Sequence, residues 1–317
     1  FIRVCLLLNQ SIKKENNTLY EKTFDFTTDI KTQSVFLELD ADKTGLQHYS
    51  VSLEPLTNEI TKANNYQSFY IDVSDQKQNI LILYHSPDPD IATIKQALEQ
   101  NENYKVTVFN VADFSEAVNS YNAIILHQLP SKIYPVKKII ESIKTSDIPV
   151  LFILGEQSDI AAFNFLKTGL QIINNNKSSI NEAHPVIHSD FPLFTIDDDL
   201  IQFTEELPPL YAPFGNFKTS NSSNNLFDQK IGSVTTKYPL ILFNEINKTR
   251  VGIICGTGIW KWKLMNYQKK QNHDIVNNLI RKIVQYISAT ADKGLFKISS
   301  NTNYNENENI EMNAEVY

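Results

Sequence analysis

Polar, titratable side chains follow three apolar runs of this chain. They are His85, then His127 with Gln128, then Glu156 with Gln157. If the runs are parallel strands of an open α/β sheet, these residues lie at the edge where such sheets bind ligands. Two imidazoles and a carboxylate could bind a metal or a polar ligand, or act in general acid–base catalysis.

The alternative for these histidines is structural. His85 and His127 could hydrogen-bond loop backbone and so shape the ends of their strands. We favour this role, because the sequence shows no second residue that would orient either ring. The five residues therefore form a candidate ligand-binding crevice, and no catalytic residue is assigned.

The run Ile148–Leu154 leads into a turn where a nucleophile would be expected. Acyl transfer at a strand-to-helix turn needs a thiolate or an activated hydroxyl beside a base. The turn begins with Gly155 and has no Cys, Ser or Thr before Ser158. Cys255 precedes Gly256-Thr-Gly258, but it follows the other predicted strands of its domain, and only His273 comes after it. We therefore predict a scaffold without acyl-transfer chemistry.

Two groups of residues have spacings that suggest a metal. Asp88 and Asp90 offer two carboxylates, yet helix capping explains them, with Asp90 suited to the N-cap position. His184 and His188 have the i, i+4 spacing of zinc helices, but Pro185 interrupts any helix and no third ligand follows. The sequence therefore predicts neither a metal site nor a cofactor.

Both tryptophans of the chain, Trp260 and Trp262, lie two residues apart after a glycine-rich turn. Strand-like alternation would place both indoles on one face. They could form a platform for a glycan or a peptide, or fill the gap between the sheet and the final helix. We favour the packing role, because a buried indole N–H usually finds a hydrogen-bond partner.

The pattern of apolar residues divides the chain into two main parts. Alternation with a period of two at 35–39, 49–53 and 69–73 predicts a β domain over residues 1–75. From residue 76, strands and helices alternate, which is typical of a doubly wound, mostly parallel α/β sheet.

The α/β domain is predicted to extend over residues 76–290. It includes an irregular insertion at about 171–236 with short strands of its own, a strand hairpin around Asn247 and an amphipathic helix over Asp274–Ser288. Residues 291–317 are predicted to be a linker and the start of a further β segment.

Composition excludes some classes of function. The chain has 317 residues, of which 42% are hydrophobic and 21% charged, as in ordinary globular proteins. The net charge of −7 argues against a nucleic-acid partner, which needs a concentrated basic face. No apolar run reaches the roughly 18 residues needed to cross a bilayer. Both ends fall within strand patterns, so we expect this to be a segment of a longer polypeptide.

Several motifs together resemble a family of bacterial cell-envelope proteins. That family joins an immunoglobulin-like, adhesion-type β domain to a class I glutamine amidotransferase-like domain. The matching stretches are Glu59 with Asn64-Asn65, Ile80–Asp90, Ile124–Pro130, Pro149–Gly155 and Gly256–Trp262.

The resemblance implies an immunoglobulin-like sandwich followed by an amidotransferase- or flavodoxin-like fold. It also implies a location in the periplasm or on the outer face of the cytoplasmic membrane, with any membrane anchor outside this chain. Leu154 and Gly155 stand where the family's catalytic Cys belongs. We therefore expect a non-catalytic scaffold that binds a protein or glycan of the envelope. The alternative is a hydrolase, or a sensor of small ligands or glycans, that uses the His/Glu crevice.

Overall fold

The computed structural model describes residues 6–14, 17–26, 45–54, 65–73, 77–173, 180–188, 190–289, 296–300 and 312–316. The chain divides into two compact units. One, which we call the β unit, comprises residues 1–76 and 292–317, and the other, the α/β unit, comprises residues 77–291.

The described part of the β unit consists of antiparallel strands. Four of them form one sheet in the order β2-β1-β3-β4, and two more pair with each other. These strands are β1 (Leu6–Lys14), β2 (Asn17–Phe26), β3 (Gly45–Leu53), β4 (Tyr66–Val73), β16 (Phe296–Ser300) and β17 (Met312–Val316). The predicted strand at 35–39 and the predicted turn at 59–64 lie outside the described residues. The immunoglobulin-like sandwich stays a prediction.

The α/β unit is built on a nine-stranded mixed sheet in the order β11-β10-β13-β14-β15-β8-β7-β5-β6. The neighbours from β15 to β6 pair in parallel, and those from β11 to β15 pair antiparallel. The strands of the parallel half are β5 (Gln78–Tyr84), β6 (Tyr104–Asn110), β7 (Ala123–His127), β8 (Val150–Ile153) and β15 (Thr249–Ile254). The other strands of this sheet are β10 (Ile180–Ile187), β11 (Leu210–Pro213), β13 (Asn224–Ile231) and β14 (Val234–Ile246). An α/β fold is therefore confirmed, whereas the amidotransferase-like winding stays a prediction.

Helices cover both faces of this sheet. They are α1 (Pro89–Glu99), α2 (Lys137–Thr145), α3 (Ile160–Phe165), α4 (Asp198–Phe203), α5 (Ile259–Lys270) and α6 (Asp274–Ser288). Strand β5 has apolar side chains on both faces, which the helices cover. Ile80 and Ile82 pack into one hydrophobic core, Leu81 and Leu83 pack into another, and all four are fully buried. The first core includes residues of α1, α5 and α6, and the second includes residues of α2 and α3. A continuous apolar run is what a strand buried on both faces requires.

The predicted insertion at 171–236 is largely part of the main sheet. Strands β10, β11 and β13 extend that sheet, and only β9 (Leu170–Ile173) and β12 (Asn216–Thr219) pair apart from it. The predicted hairpin around Asn247 is confirmed by the pairing of β14 with β15. Asn247 adopts a positive φ of 49°, which Asn tolerates better than most residues.

Trp260 and Trp262 lie in helix α5, so the strand-like alternation that would place both indoles on one face is absent there. Helical geometry separates the two indoles: Trp262 is fully buried, whereas Trp260 is 37% exposed. The indole Nε1 of Trp262 donates to the Pro208 carbonyl at 2.6 Å. A two-indole platform is therefore excluded, and the packing role describes Trp262.

Within the described residues, no helix is both long enough and apolar enough to cross a membrane.

Because Trp262 is buried and Trp260 is partly exposed, the two tryptophans should differ in emission wavelength and in quenching. In Trp260→Phe the remaining Trp262 should emit at short wavelength and resist quenching by iodide, because its ring is shielded from water. In Trp262→Phe the remaining Trp260 should emit at longer wavelength and be quenched. Equal quenching of the two variants, with both folded by circular dichroism, would contradict the helical arrangement.

Candidate ligand-binding site

The carboxyl ends of β5, β7 and β8 lie side by side. The registers pair Tyr84 at the end of β5 with His127, and His127 with Ile153 at the end of β8. The residues that follow these strands therefore share one edge of the sheet, where ligands of open α/β sheets bind.

Asp88 begins helix α1. Its backbone is extended, its side-chain Oδ1 accepts a hydrogen bond from the Asp90 N–H at 2.9 Å, and Pro89 takes the first helical position. The N-cap is therefore Asp88. The prediction that Asp90 is the N-cap is wrong. Proline at the first helical position is common, and it marks the residue before it as the cap. This local signal in the sequence pointed to Asp88.

Asp90 has a different task, because its carboxylate is fully buried and binds another helix. Oδ2 accepts from the Gly258 N–H at 2.7 Å, and Oδ1 accepts from the Trp260 N–H at 2.8 Å. Gly258 is the N-cap of α5 and has no side chain with which to cap it. The Asp90 carboxylate therefore satisfies two N–H groups at the start of α5 and complements that helix's dipole.

His127 lies between these two carboxylates. Its ring is fully buried, and Nε2 is 3.9 Å from both Asp88 Oδ1 and Asp90 Oδ2. That distance is too long for a hydrogen bond. Neither ring nitrogen has a hydrogen-bond partner within the described part of the chain. Such an arrangement is rare, since buried side-chain polar atoms are mostly satisfied.

We call Asp88, Asp90 and His127 the Asp–Asp–His cluster. One potential ligand atom from each residue lies within 4.8 Å of the other two, which is a spacing that could hold a metal ion. The sequence argument against a metal treated the two aspartates alone. It missed His127 as a third donor, because only the pairing of β5 with β7 brings that residue to them. The structural role predicted for His127 also fails, since its ring makes no hydrogen bond to loop backbone.

The other predicted crevice residues have separate roles. His85 Nδ1 is 2.9 Å from Ser131 Oγ, and partial burial lowers the pKa of His85. Gln128 directs Nε2 toward Asp88 Oδ2 at 3.5 Å, and its Oε1 accepts from the Gln157 N–H at 2.9 Å. The side chains of Glu156 and Gln157 are exposed. Of the five predicted residues, His127 and Gln128 therefore lie at the cluster, while His85 contacts the side chain of Ser131 and not the loop backbone that we had expected.

A side chain at position 155, in the turn after β8, would overlap its neighbours. A Cβ placed on Gly155 would be 2.7 Å from both Gln128 Oε1 and Thr257 Cγ2. The Gly155 N–H is also occupied, since it donates to Ser158 Oγ at 3.0 Å. Cys255 offers no substitute, because the thiol is fully buried and burial raises its pKa.

The histidines at 184 and 188 do not form a joint site. Both belong to the region of strand β10, where four residues span about 13 Å. His184 Nδ1 is 3.3 Å from the Leu207 carbonyl, and His188 Nδ1 is 2.8 Å from Asp228 Oδ2. His188 and Asp228 provide a matched His–Asp pair outside the cluster.

Among the comparisons with known proteins, only the one with solved structures gives similarities. No protein-family model matches the chain, and no curated protein matches it. Among solved structures, a carbohydrate deacetylase, Agd3, is similar with a TM-score of 0.39 and 12% identity, over 64% of this chain and 32% of that one. The α-L-fucosidase isoenzyme 2 from Paenibacillus thiaminolyticus is similar with a TM-score of 0.39 and 8% identity, over 70% and 34%.

The chain thus spans about a third of the length of these two solved structures. Similarities at this level define neither a fold family nor a function, so the site has to be interpreted from its own residues.

The two aspartates should differ in their effect on stability. Asp90→Asn removes a buried charge that accepts two N–H bonds, and its NH₂ group would face one of those donors. We expect it to lower the free energy of unfolding by about 2–4 kcal/mol. Asp88→Asn should cost under about 1 kcal/mol, because Asn is an equally good N-cap. Urea unfolding of both variants checks this, and equal losses would contradict the role given to Asp90.

The closed turn predicts a steric cost at Gly155. Gly155→Ala should lower stability by about 1–3 kcal/mol, because the new methyl group overlaps Gln128 and Thr257. Adding Thr257→Ser removes one overlapping methyl, so it should recover part of that loss. Thermal unfolding of the single and double variants measures the coupling. Additive effects would show that Thr257 does not close the turn.

Proposed function

We propose that the α/β unit binds a small cationic ligand at the Asp–Asp–His cluster. The observation that carries this proposal is the fully buried His127 ring, which lies beside two carboxylates with both nitrogens unpartnered. This makes the unit a ligand-binding or sensing module, in line with the alternative that the sequence left open. The closed turn at Gly155 supports a function other than acyl transfer from that position.

The charges of the cluster favour a cation. Asp88 and Asp90 are both held as hydrogen-bond acceptors, a role suited to the ionised carboxylate. The N-termini of α1 and α5 offset part of this negative charge, at most about half a unit each. A bound cation would offset more of it and reduce the repulsion between the two carboxylates.

Hydrogen bonding gives a second reason. A buried polar group without a partner costs about 1–3 kcal/mol. A ligand that bonds to an imidazole nitrogen of His127 recovers some of that energy on binding. Part of the binding affinity then comes from removing the cost of the unpartnered His127 ring in the free protein.

Access to the cluster sets the size of the ligand. The Asp88 side chain is 21% exposed, whereas the side chains of His127 and Asp90 are fully buried. A ligand therefore reaches the cluster past Asp88. Only an ion or a small cationic group could contact all three side chains from that side.

Thermal unfolding in the presence of cations tests this proposal. The panel comprises Zn²⁺, Mn²⁺, Mg²⁺, Ca²⁺, spermidine and glucosamine, added to chain freed of metal by a chelator. A ligand at 100 times its Kd adds about 2.7 kcal/mol, and we expect its effect to raise Tm by about 5–10 °C. The panel is repeated with Asp88→Asn, which keeps the helix cap and removes one charge.

The matched control is Asp228→Asn, which changes the His188–Asp228 pair and leaves the cluster intact. We expect the control to keep the rise in Tm and Asp88→Asn to lose most of it. A flat panel, or a rise that Asp88→Asn retains, would refute cation binding at the cluster.

A second candidate function is protein docking, favoured by one surface. Trp260, Leu264 and Tyr267 lie on one face of α5, and they are 37%, 57% and 47% exposed. Exposed apolar groups in such a row are typical of contact surfaces. On this view the α/β unit would be the envelope scaffold that the resemblance implies, with a protein as the partner bound at this face. The exposed face of α5 and the Asp–Asp–His cluster involve different side chains, so protein docking and cation binding are compatible.

A further inference from the structure

We infer that the cationic ligand is a first-row divalent transition metal ion, with Zn²⁺ or Mn²⁺ as the best fit. Asp88 and Asp90 would supply one carboxylate oxygen each, and His127 would supply Nε2. This inference rests on the proposed function and names the chemical class of its ligand.

The geometry of the cluster is close to that of a coordination sphere. Nε2 of His127 is 3.9 Å from a carboxylate oxygen of each aspartate, and the three donor atoms lie within 4.8 Å. Metal bonds of about 2.0–2.2 Å bring neighbouring ligand atoms to about 3–3.5 Å from each other. Metal binding therefore requires Nε2 and each of these carboxylate oxygens to approach by roughly 0.5–1 Å.

Asp88 is the side chain best able to make that movement. It is partly exposed, and its carboxylate makes one short hydrogen bond, from Asp90 N–H, and one long bond of 3.5 Å from Gln128. Asp90 is fixed by two short bonds from the start of α5. The cluster thus combines one rigid carboxylate with one adjustable carboxylate on the accessible side.

The donor set selects among cations. Ca²⁺ and Mg²⁺ prefer oxygen ligands, whereas an imidazole nitrogen suits Zn²⁺ and other transition metals. Two carboxylates with one histidine are therefore a mixed set that favours Zn²⁺ or Mn²⁺. An organic ammonium group would bond to the same carboxylates through N–H donors, but it needs more room than a bare ion.

Surrounding groups orient two of the three donors. Gly258 N–H and Trp260 N–H hold Asp90, and the Gln128 amide faces Asp88. Partners of this kind tune metal affinity by about 10–100-fold. The departure from common metal sites is at His127, whose Nδ1 has no hydrogen-bond partner in the described part of the chain.

Three protein ligands would leave at least one coordination position for water or for a group of a substrate. The exposed side of Asp88 is where such a group has access. The same site could therefore serve a metal-dependent hydrolase as well as a sensor.

Direct metal binding tests the inference. The full chain, freed of metal by a chelator, is titrated calorimetrically with Zn²⁺, Mn²⁺ and Mg²⁺, and bound metal is counted by mass spectrometry. We expect one Zn²⁺ or Mn²⁺ per chain, and Mg²⁺ binding at least tenfold weaker. Asp88→Asn should weaken transition-metal binding at least tenfold. His127→Gln should remove the preference over Mg²⁺, since an amide offers oxygen in place of nitrogen.

The control is again Asp228→Asn, which should bind as the unaltered chain does. If His127→Gln fails to fold by circular dichroism, Asp88→Asn alone carries the test. The proposed metal site would be refuted if Asp88→Asn bound the metal as tightly as the unaltered chain does. It would also be refuted if only Asp228→Asn lost metal binding.

The outcomes separate this inference from the proposed function. If spermidine or glucosamine stabilises the chain through Asp88 while no metal binds, the metal inference fails and cation binding stands. If no cation of either kind binds, both fail.

Discussion

The buried carboxylate of Asp90 is the contact on which this edge of the α/β unit depends. It joins the start of α1 to the start of α5, through a contact between two residues, Asp90 and Gly258, that are 168 positions apart in the chain. The two N–H groups that donate to it, at the start of α5, would otherwise lack a hydrogen-bond acceptor. Because the bonds are charge-assisted and shielded from water, they fix the loop after β15 against the loop after β5. The placement of Gly258, and with it Thr257, follows from this contact.

The same packing closes one possible site and assembles another. Thr257 lies against Gly155, and the Gln128 carbonyl oxygen fills the remaining space where a side chain at 155 would point. The other end of that Gln128 amide faces Asp88 in the cluster. One side chain thus blocks the position where a nucleophile would stand and supports a carboxylate beside His127. In this sheet the Asp–Asp–His cluster lies at the ends of β5 and β7, and the turn after β8 packs against Gln128 and Thr257.

The sequence predicted the parts of the fold where a single force dominates. Continuous apolar runs marked the buried strands β5, β7 and β8, and a clear apolar stripe marked α6. Helix α5 was missed because its buried face is partly polar. Lys263 donates to Gln96, and Asn266 accepts from Val276 N–H, so neither residue looks like a core position in a pattern of hydrophobicity. Strands β10 and β13 were assigned to an irregular insertion and not to the main sheet for a related reason, because they mix polar and apolar residues, with bulges between β13 and β14.

The site could be predicted only in part, because its decisive contacts are long-range. Local spacing placed His127 at the end of a strand and the aspartates at the start of a helix, but it did not predict the contact of Asp90 with Gly258 and Trp260. The cluster combines a tightly bonded Asp90 with a His127 that lacks partners. Folding alone does not favour leaving that imidazole unsatisfied, since an apolar side chain of similar size would avoid the cost. An unpartnered histidine beside one rigid and one adjustable carboxylate is therefore the feature on which the proposed ligand site rests.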